Sequence, residues 1–186
     1  MHQALWLLIE TLGSLLAGAC LLRAYMNFCG VGMRNPVGQF VLAFTDWLVG
    51  PLRRMLSPRG RIDWPSLLAA LIVAVLLAFV FAMIFGSAAH LPSLGAVLLI
   101  AIFWLLKWSL WLLSLLVIAQ AVLSWVNPHA PVMPTVDALT RPVLTPIRRV
   151  VPLVGGVDLS PLVLLLLVQV LLTLLQTGLL PALLAA

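Results

Sequence analysis

Residues 66–86 read SLLAALIVAVLLAFVFAMIFG, twenty-one positions without one charged side chain, preceded by Pro65 and closed by glycine. A helix rises 1.5 Å per residue, so about 20 such residues cover the roughly 30 Å of hydrocarbon in a bilayer. The stretch predicts a transmembrane helix, and with it an all-α, polytopic membrane bundle. The whole chain agrees: its 186 residues are 64% hydrophobic and only 8% charged, and the mean hydropathy is +1.23. A water-soluble domain could not stay in solution with that composition.

Working outward, three further spans are expected. Residues 4–26 contain Glu10 but no basic residue precedes them, so the charged start of a cleavable signal peptide is missing and a retained span is expected. Residues 94–126 are interrupted only by Lys107 and are too long for one ordinary crossing. No Gly, Pro or Asn stands beside Lys107 to make a turn, so the span is placed at 108–126. Residues 94–106 then form its extension, an interfacial piece or a half-crossing. The last span covers residues 161–180, with Ser160 as N-cap and Pro161 in the first turn. Cys20 and Cys29 match no metal or redox motif, which predicts reduced thiols, and His2, His90 and His129 are too scattered to form a site.

The chain also repeats. Pro51-Leu52-Arg53-Arg54 recurs 95 residues later as Pro146-Ile147-Arg148-Arg149, and the same spacing puts Gly60 on Gly155, Ile62 on Val157, Asp63 on Asp158 and Leu67 on Leu162. Upstream the spacing becomes 97, matching Arg23 to Gln120 and Ala24 to Ala121. Two tandem units follow, 1–93 and 94–186, each a span, an amphipathic or re-entrant segment, a basic turn and a span. Two crossings return the chain to its starting side, so the units should be parallel repeats about an axis along the membrane normal. Arg23, Arg34, Arg53, Arg54, Arg59, Arg61, Arg141, Arg148 and Arg149 all fall in or beside the two loops within the units, leaving only Lys107 elsewhere. The positive-inside rule makes those loops cytoplasmic and sends the His90 turn and both termini outward.

Segments 37–56 and 136–151 are neither loop nor crossing. Phe40, Val41, Phe44, Leu48, Leu52 and Met55 recur at helical spacing in the first, and Val136, Leu139, Val143, Ile147 and Val150 in the second. Either an amphipathic connector or a re-entrant segment fits, and Pro142 with Pro146 predicts a broken shape for the second. Arg53, Arg54, Arg148, Arg149 and the nearby Arg141 are the candidate lipid or partner contacts, because a guanidinium fork binds phosphate in two places at once. The alternative is that they only fix topology. A soluble nucleic-acid role does not fit, because the pI of about 10.7 reflects few acids rather than a broad basic patch. Asp63 and Asp158 stand where they can cap the following helix or accept from an arginine. Gly155-Gly156 is a tight turn without the pattern of a phosphate loop. Glu10 and Lys107 are equivalent at the 97-residue spacing and opposite in charge, which predicts an intramembrane pair, with snorkelling to the interface as the alternative.

The pieces Arg23-Ala-Tyr-Met26, Asn35-Pro-Val-Gly-Gln-Phe40, Gly50-Pro-Leu-Arg-Arg-Met55, Ser124-Trp125, Arg141-Pro-Val-Leu-Thr-Pro-Ile-Arg-Arg-Val-Val-Pro152 and Gly155-Gly-Val-Asp-Leu-Ser-Pro161 together resemble the YggT family of bacterial membrane proteins. That family is related to the YlmG proteins of Gram-positive bacteria, cyanobacteria and plastids. The first unit departs from the pattern at Ser57-Pro58-Arg59 and Asp63-Trp64-Pro65, so Pro146-Ile-Arg148-Arg149 is the turn expected to carry the unit's chemistry. The resemblance implies a multi-pass protein of the bacterial inner membrane, associated with osmotic-stress tolerance and ion homeostasis. Relatives are linked to cell division, nucleoid distribution and maturation of membrane cytochromes. No catalytic residue, metal or cofactor is implied, and none is found in the residues. The expected function is therefore non-enzymatic, acting on anionic lipid or a membrane partner, with homo-oligomers possible. Alternatives are an ion or solute pathway lined by Glu10, Lys107, Arg23, Gln120 and Gln169, and an assembly factor for division or cytochrome complexes.

Overall fold

The computed structural model describes residues 2–56, 60–85, 93–151 and 158–179. Among the described residues six α-helices follow one another: α1 (His2–Phe28), α2 (Pro36–Met55), α3 (Trp64–Phe85), α4 (Leu94–Val126), α5 (Met133–Arg148) and α6 (Ser160–Leu174), the last running into a π-turn at Leu175–Leu179. Four of them, α1, α3, α4 and α6, are long and apolar enough to cross a membrane. The expected turns around His90 and Gly155-Gly156, and Ser57-Pro58-Arg59, lie outside the described residues.

Local chemistry explains the element ends. Asn35 accepts from the Gly38 N–H at 2.8 Å, and Pro36 supplies the first helical position of α2. Gly38 is required there, since a Cβ would stand 2.6 Å from the Met33 Cα. Ser93 starts α4 by accepting from the Ala96 N–H at 3.2 Å, and Asn127-Pro128 follows its end.

The short elements fit between the spans in the same way twice. Helix α2 packs on α1 and α3, and α5 packs on α4 and α6. The buried positions also recur 95 residues apart: Val41, Thr45 and Val49 on α2 against Val136, Thr140 and Leu144 on α5, and Ala69, Val73 and Leu77 on α3 against Leu164, Val168 and Leu172 on α6. Helix α4 joins the two groups. Its first half places Val97, Ala101, Phe103, Trp104 and Trp108 against α1 and α3 in the largest core cluster, and its second half places Val117 against Leu144, Leu164 and Val168. The core thus crosses the expected boundary at residue 93.

One open reading is decided and two expectations change. Residues 94–106 are the extension of the span, because α4 is one unbroken helix of 33 residues. At 1.5 Å per residue it is about 50 Å long, so it must tilt or project from a 30 Å hydrocarbon layer. Helix α5 runs through Pro142 and Pro146 without a break; proline removes two N–H donors there, but packing against α4 and α6 holds the path. The inward face of α2 is Gly38, Val41, Thr45 and Val49, so of the apolar stripe only Val41 is fully buried, with Leu48 and Leu52 packed beside that face. Phe40, Phe44 and Met55 point outward and are exposed, because the small face allows closer approach to α1 and α3. Finally, Ser160 is the first residue of α6 rather than its cap, and Asp158 accepts from the Ser160 N–H at 2.9 Å.

Candidate functional site

The Pro-x-Arg-Arg sequences, expected as turns between elements, are instead the helical ends of α2 and α5, because Pro51 and Pro146 keep helical backbone inside them; each end has one arginine paired with an aspartate and one without a carboxylate among the described residues. The Arg53 Nη2 donates to Asp63 Oδ2 at 2.9 Å, and the Arg148 Nε donates to Asp158 Oδ2 at 2.8 Å. In both cases the acid stands 10 residues downstream and begins the next span; Asp63 Oδ1 also accepts from the Ser66 N–H at 3.3 Å. Arg54 and Arg149 are exposed, and neither has a carboxylate within 4 Å among the described residues. Arg53 and Arg148 are thus each paired with an aspartate, and Arg54 and Arg149 are the arginines of the two sequences without one among the described residues.

The two helix ends then differ in what stands behind them. In the first, Arg23 of α1 is 1% exposed and donates to Thr45 at 2.8 Å and to Asp46 at 2.7 Å, with Asp63 at 4.0 Å. Asp63 therefore ties α1, α2 and α3 together through two guanidinium groups. A buried arginine is tolerable only when paired in this way. In the second, Gln120 occupies the position matching Arg23, and Arg141 the position matching Asp46. Gln120 is buried and its Oε1 has no hydrogen-bond partner among the described residues. Arg141 is exposed and has no carboxylate within 4 Å there.

Two cavities flank the place where the end of α1 meets α5. One, about 650 Å³, is lined by Cys29, Arg141, Pro142, Thr145, Pro146 and Arg149. The other, about 500 Å³, is apolar, with Tyr25, Phe28, Leu67, Leu110, Leu113 and Val143 among its walls. The Tyr25 hydroxyl donates to the Leu139 carbonyl at 2.7 Å and fixes the crossing. Cys29 is partly buried, which raises its thiol pKa and keeps it protonated, and both cysteines are free.

At the opposite end, Lys107 Nζ lies 3.9 Å from Glu10 Oε1, both partly buried. Trp6, Phe81, Trp104 and Trp108 pack in a chain of rings beside them, with centroids 5.3 to 6.0 Å apart. The five residues expected to line a solute pathway are not gathered. Arg23 and Gln120 are buried at the arginine-bearing end, Gln169 is exposed, and neither cavity contains any of the five. The role of Arg23 is missed by sequence reasoning; the available signal is that Arg23/Gln120 and Asp46/Arg141 change polarity together between the units.

Four long apolar helices with two shorter helices between them define a multi-pass α-helical membrane protein. The chain belongs to the CCB3/YggT family, whose model matches residues 2–84 and again 99–180. It is 35% identical to the YggT protein of Escherichia coli (strain K12), covering 90% of this chain and 87% of that one. A Vibrio alginolyticus protein described as lying in the proC 3′ region is 34% identical over 84% of this chain and 85% of its own. A Haemophilus influenzae protein is 31% identical over 84% and 83% respectively. No solved structure matches the chain.

Proposed function

We propose that this is a non-enzymatic, multi-pass protein of the bacterial inner membrane, built from two tandem units, that supports osmotic-stress tolerance and ion homeostasis through cytoplasmic basic helix ends contacting anionic lipid. The observation that carries the reading is the division of labour within each helix end. One arginine is held by the aspartate that begins the next span, and its neighbour, Arg54 or Arg149, is left exposed with no carboxylate among the described residues. An arginine needed only for topology would not require a built partner beside it, whereas a rigid helix end presenting a guanidinium suits a phosphate surface. The double family match and the recurrence of buried positions 95 residues apart support the tandem arrangement. A solute route through one copy has less support, because its candidate residues share no cavity.

The test is growth of the host bacterium lacking this gene after a hyperosmotic shift. Wild type should restore growth, and Arg54→Gln/Arg141→Gln/Arg149→Gln should fail to do so at equal membrane abundance. Full complementation by the triple variant would overturn the role given to these arginines.

A further inference from the structure

We propose that the second unit alone holds a phosphate-bearing headgroup, that of an anionic phospholipid, between Arg141 and Arg149, with an acyl chain in the adjoining apolar cavity. The inference rests on the reading that the basic end faces phospholipid, and it assigns that role to one side of one helix. Arg141, Thr145 and Arg149 recur every fourth residue, and Arg149, although past the end of α5, keeps helical dihedrals (φ −75°, ψ −24°). All three therefore stand on one face of the helix and line the 650 Å³ cavity. Thr145 gives its hydroxyl proton to the Arg141 carbonyl at 2.7 Å. It serves as a small spacer, leaving the two guanidinium groups as the donors. The C-terminal end of α5 disfavours an anion by about half a charge, which two full positive charges outweigh.

The first unit cannot hold the same group. Its matching positions are Asp46, Gly50 and Arg54, so a carboxylate replaces one guanidinium and is itself committed to Arg23 at 2.7 Å. A lipid, rather than free phosphate, follows from the second cavity. Consecutive residues Phe28 and Cys29 line the apolar and basic cavities respectively, as do Val143 and Pro142. The two spaces thus lie side by side across the α1–α5 crossing, charged on one side and apolar on the other, as a phospholipid is.

The experiment is native mass spectrometry of the full chain in detergent, titrated with phosphatidylglycerol, phosphatidylcholine or inorganic phosphate. Wild type should retain phosphatidylglycerol in preference to phosphatidylcholine. Arg141→Gln/Arg149→Gln should weaken that retention roughly thirtyfold, at about fivefold per arginine, whereas Arg54→Gln should change it less than about twofold. Val143→Trp, which fills the apolar cavity, should weaken the lipid without affecting inorganic phosphate. Equal losses from Arg54→Gln and the double variant would overturn the local site while leaving the general lipid contact standing. Failure of wild type to prefer phosphatidylglycerol would overturn both. Retention of phosphatidylglycerol left unchanged by Val143→Trp would overturn the acyl-chain site and, with inorganic phosphate bound as well as the lipid, the assignment to a lipid.

Discussion

Asp63 is fully buried with guanidinium nitrogens at 2.9 and 4.0 Å, while Asp158 is 31% exposed and meets one, at 2.8 Å. Removing one partner of a buried pair leaves the other charge stranded and costs about 3–5 kcal/mol, whereas an exposed pair is worth about 0–1 kcal/mol. Asp63→Asn should therefore lower the thermal midpoint in detergent far more than Asp158→Asn, and similar losses would refute the burial argument. The pH dependence of the weaker pair has a definite sign. Burial would raise the Asp158 carboxyl, but the donors of Ser160 and the Arg148 guanidinium outweigh it and hold the group below the usual carboxylate range. Its contribution is then complete above the unfolded value of about 3.9 and lost as pH falls through the lower folded value. The advantage of wild type over Asp158→Asn should be flat from about pH 8 to 5 and shrink only below about pH 4; a decline starting near pH 6 would point to another group. The bond of each aspartate to an arginine was open to sequence reasoning, because both types recur at one spacing. The burial of Arg23 was not, since a basic residue beside a loop looks the same whether it faces water or an aspartate from another helix.

Helix α2 shows that an apolar pattern gives a helical period without saying which face packs inward. Phe40 and Phe44 stack at 6.2 Å on the outside, while the inner face is built from glycine, threonine and valine. In water the large apolar side would turn inward, but lipid accepts aromatic rings readily, so close backbone approach decides which face packs. Gly38→Ala should accordingly destabilise the protein by about 1–3 kcal/mol, because the new methyl meets Met33 backbone atoms that cannot yield. Gly50→Ala in the same helix meets nothing within 4 Å and should be neutral or stabilise by up to about 1 kcal/mol. Denaturant or thermal titration of both variants checks the pair of expectations, and equal effects would mean that helix propensity rather than contact sets the cost. Helix α4 teaches the converse. Lys107 marks an interruption in composition, but with no turn-forming residue nearby the helix continues, and its two halves serve different cores.

Across the whole molecule, Glu10 of α1 and Lys107 of α4 stand 97 residues apart in sequence and 3.9 Å apart in space. The pair marks where α1 and α4 meet. Neutralising either one leaves a charge in a poorly solvated place and should cost on the order of 1–3 kcal/mol. The exchange Glu10→Lys/Lys107→Glu should recover most of that in a thermal unfolding series, and a swap no better than the single changes would show that the two groups act separately. The aromatic rings of Trp6, Phe81 and Trp104 at the same level would keep the crossing in place during that experiment.

What the sequence determined by itself is the solvent, the number of spans and the repeated Pro-x-Arg-Arg sequence. Bilayer thickness sets span length and the positive-inside rule reads arginine counts, and both are properties of the chain before it folds. Tertiary structure alone decided which arginines are spent. Arg53 and Arg148 are taken by aspartates 10 residues on, and Arg23 by Asp46 of a neighbouring helix, while Arg141 and Arg149 share one open cavity. Charge pairing depends on distances of a few ångströms between elements, and those are fixed only when α2 and α5 settle between their spans.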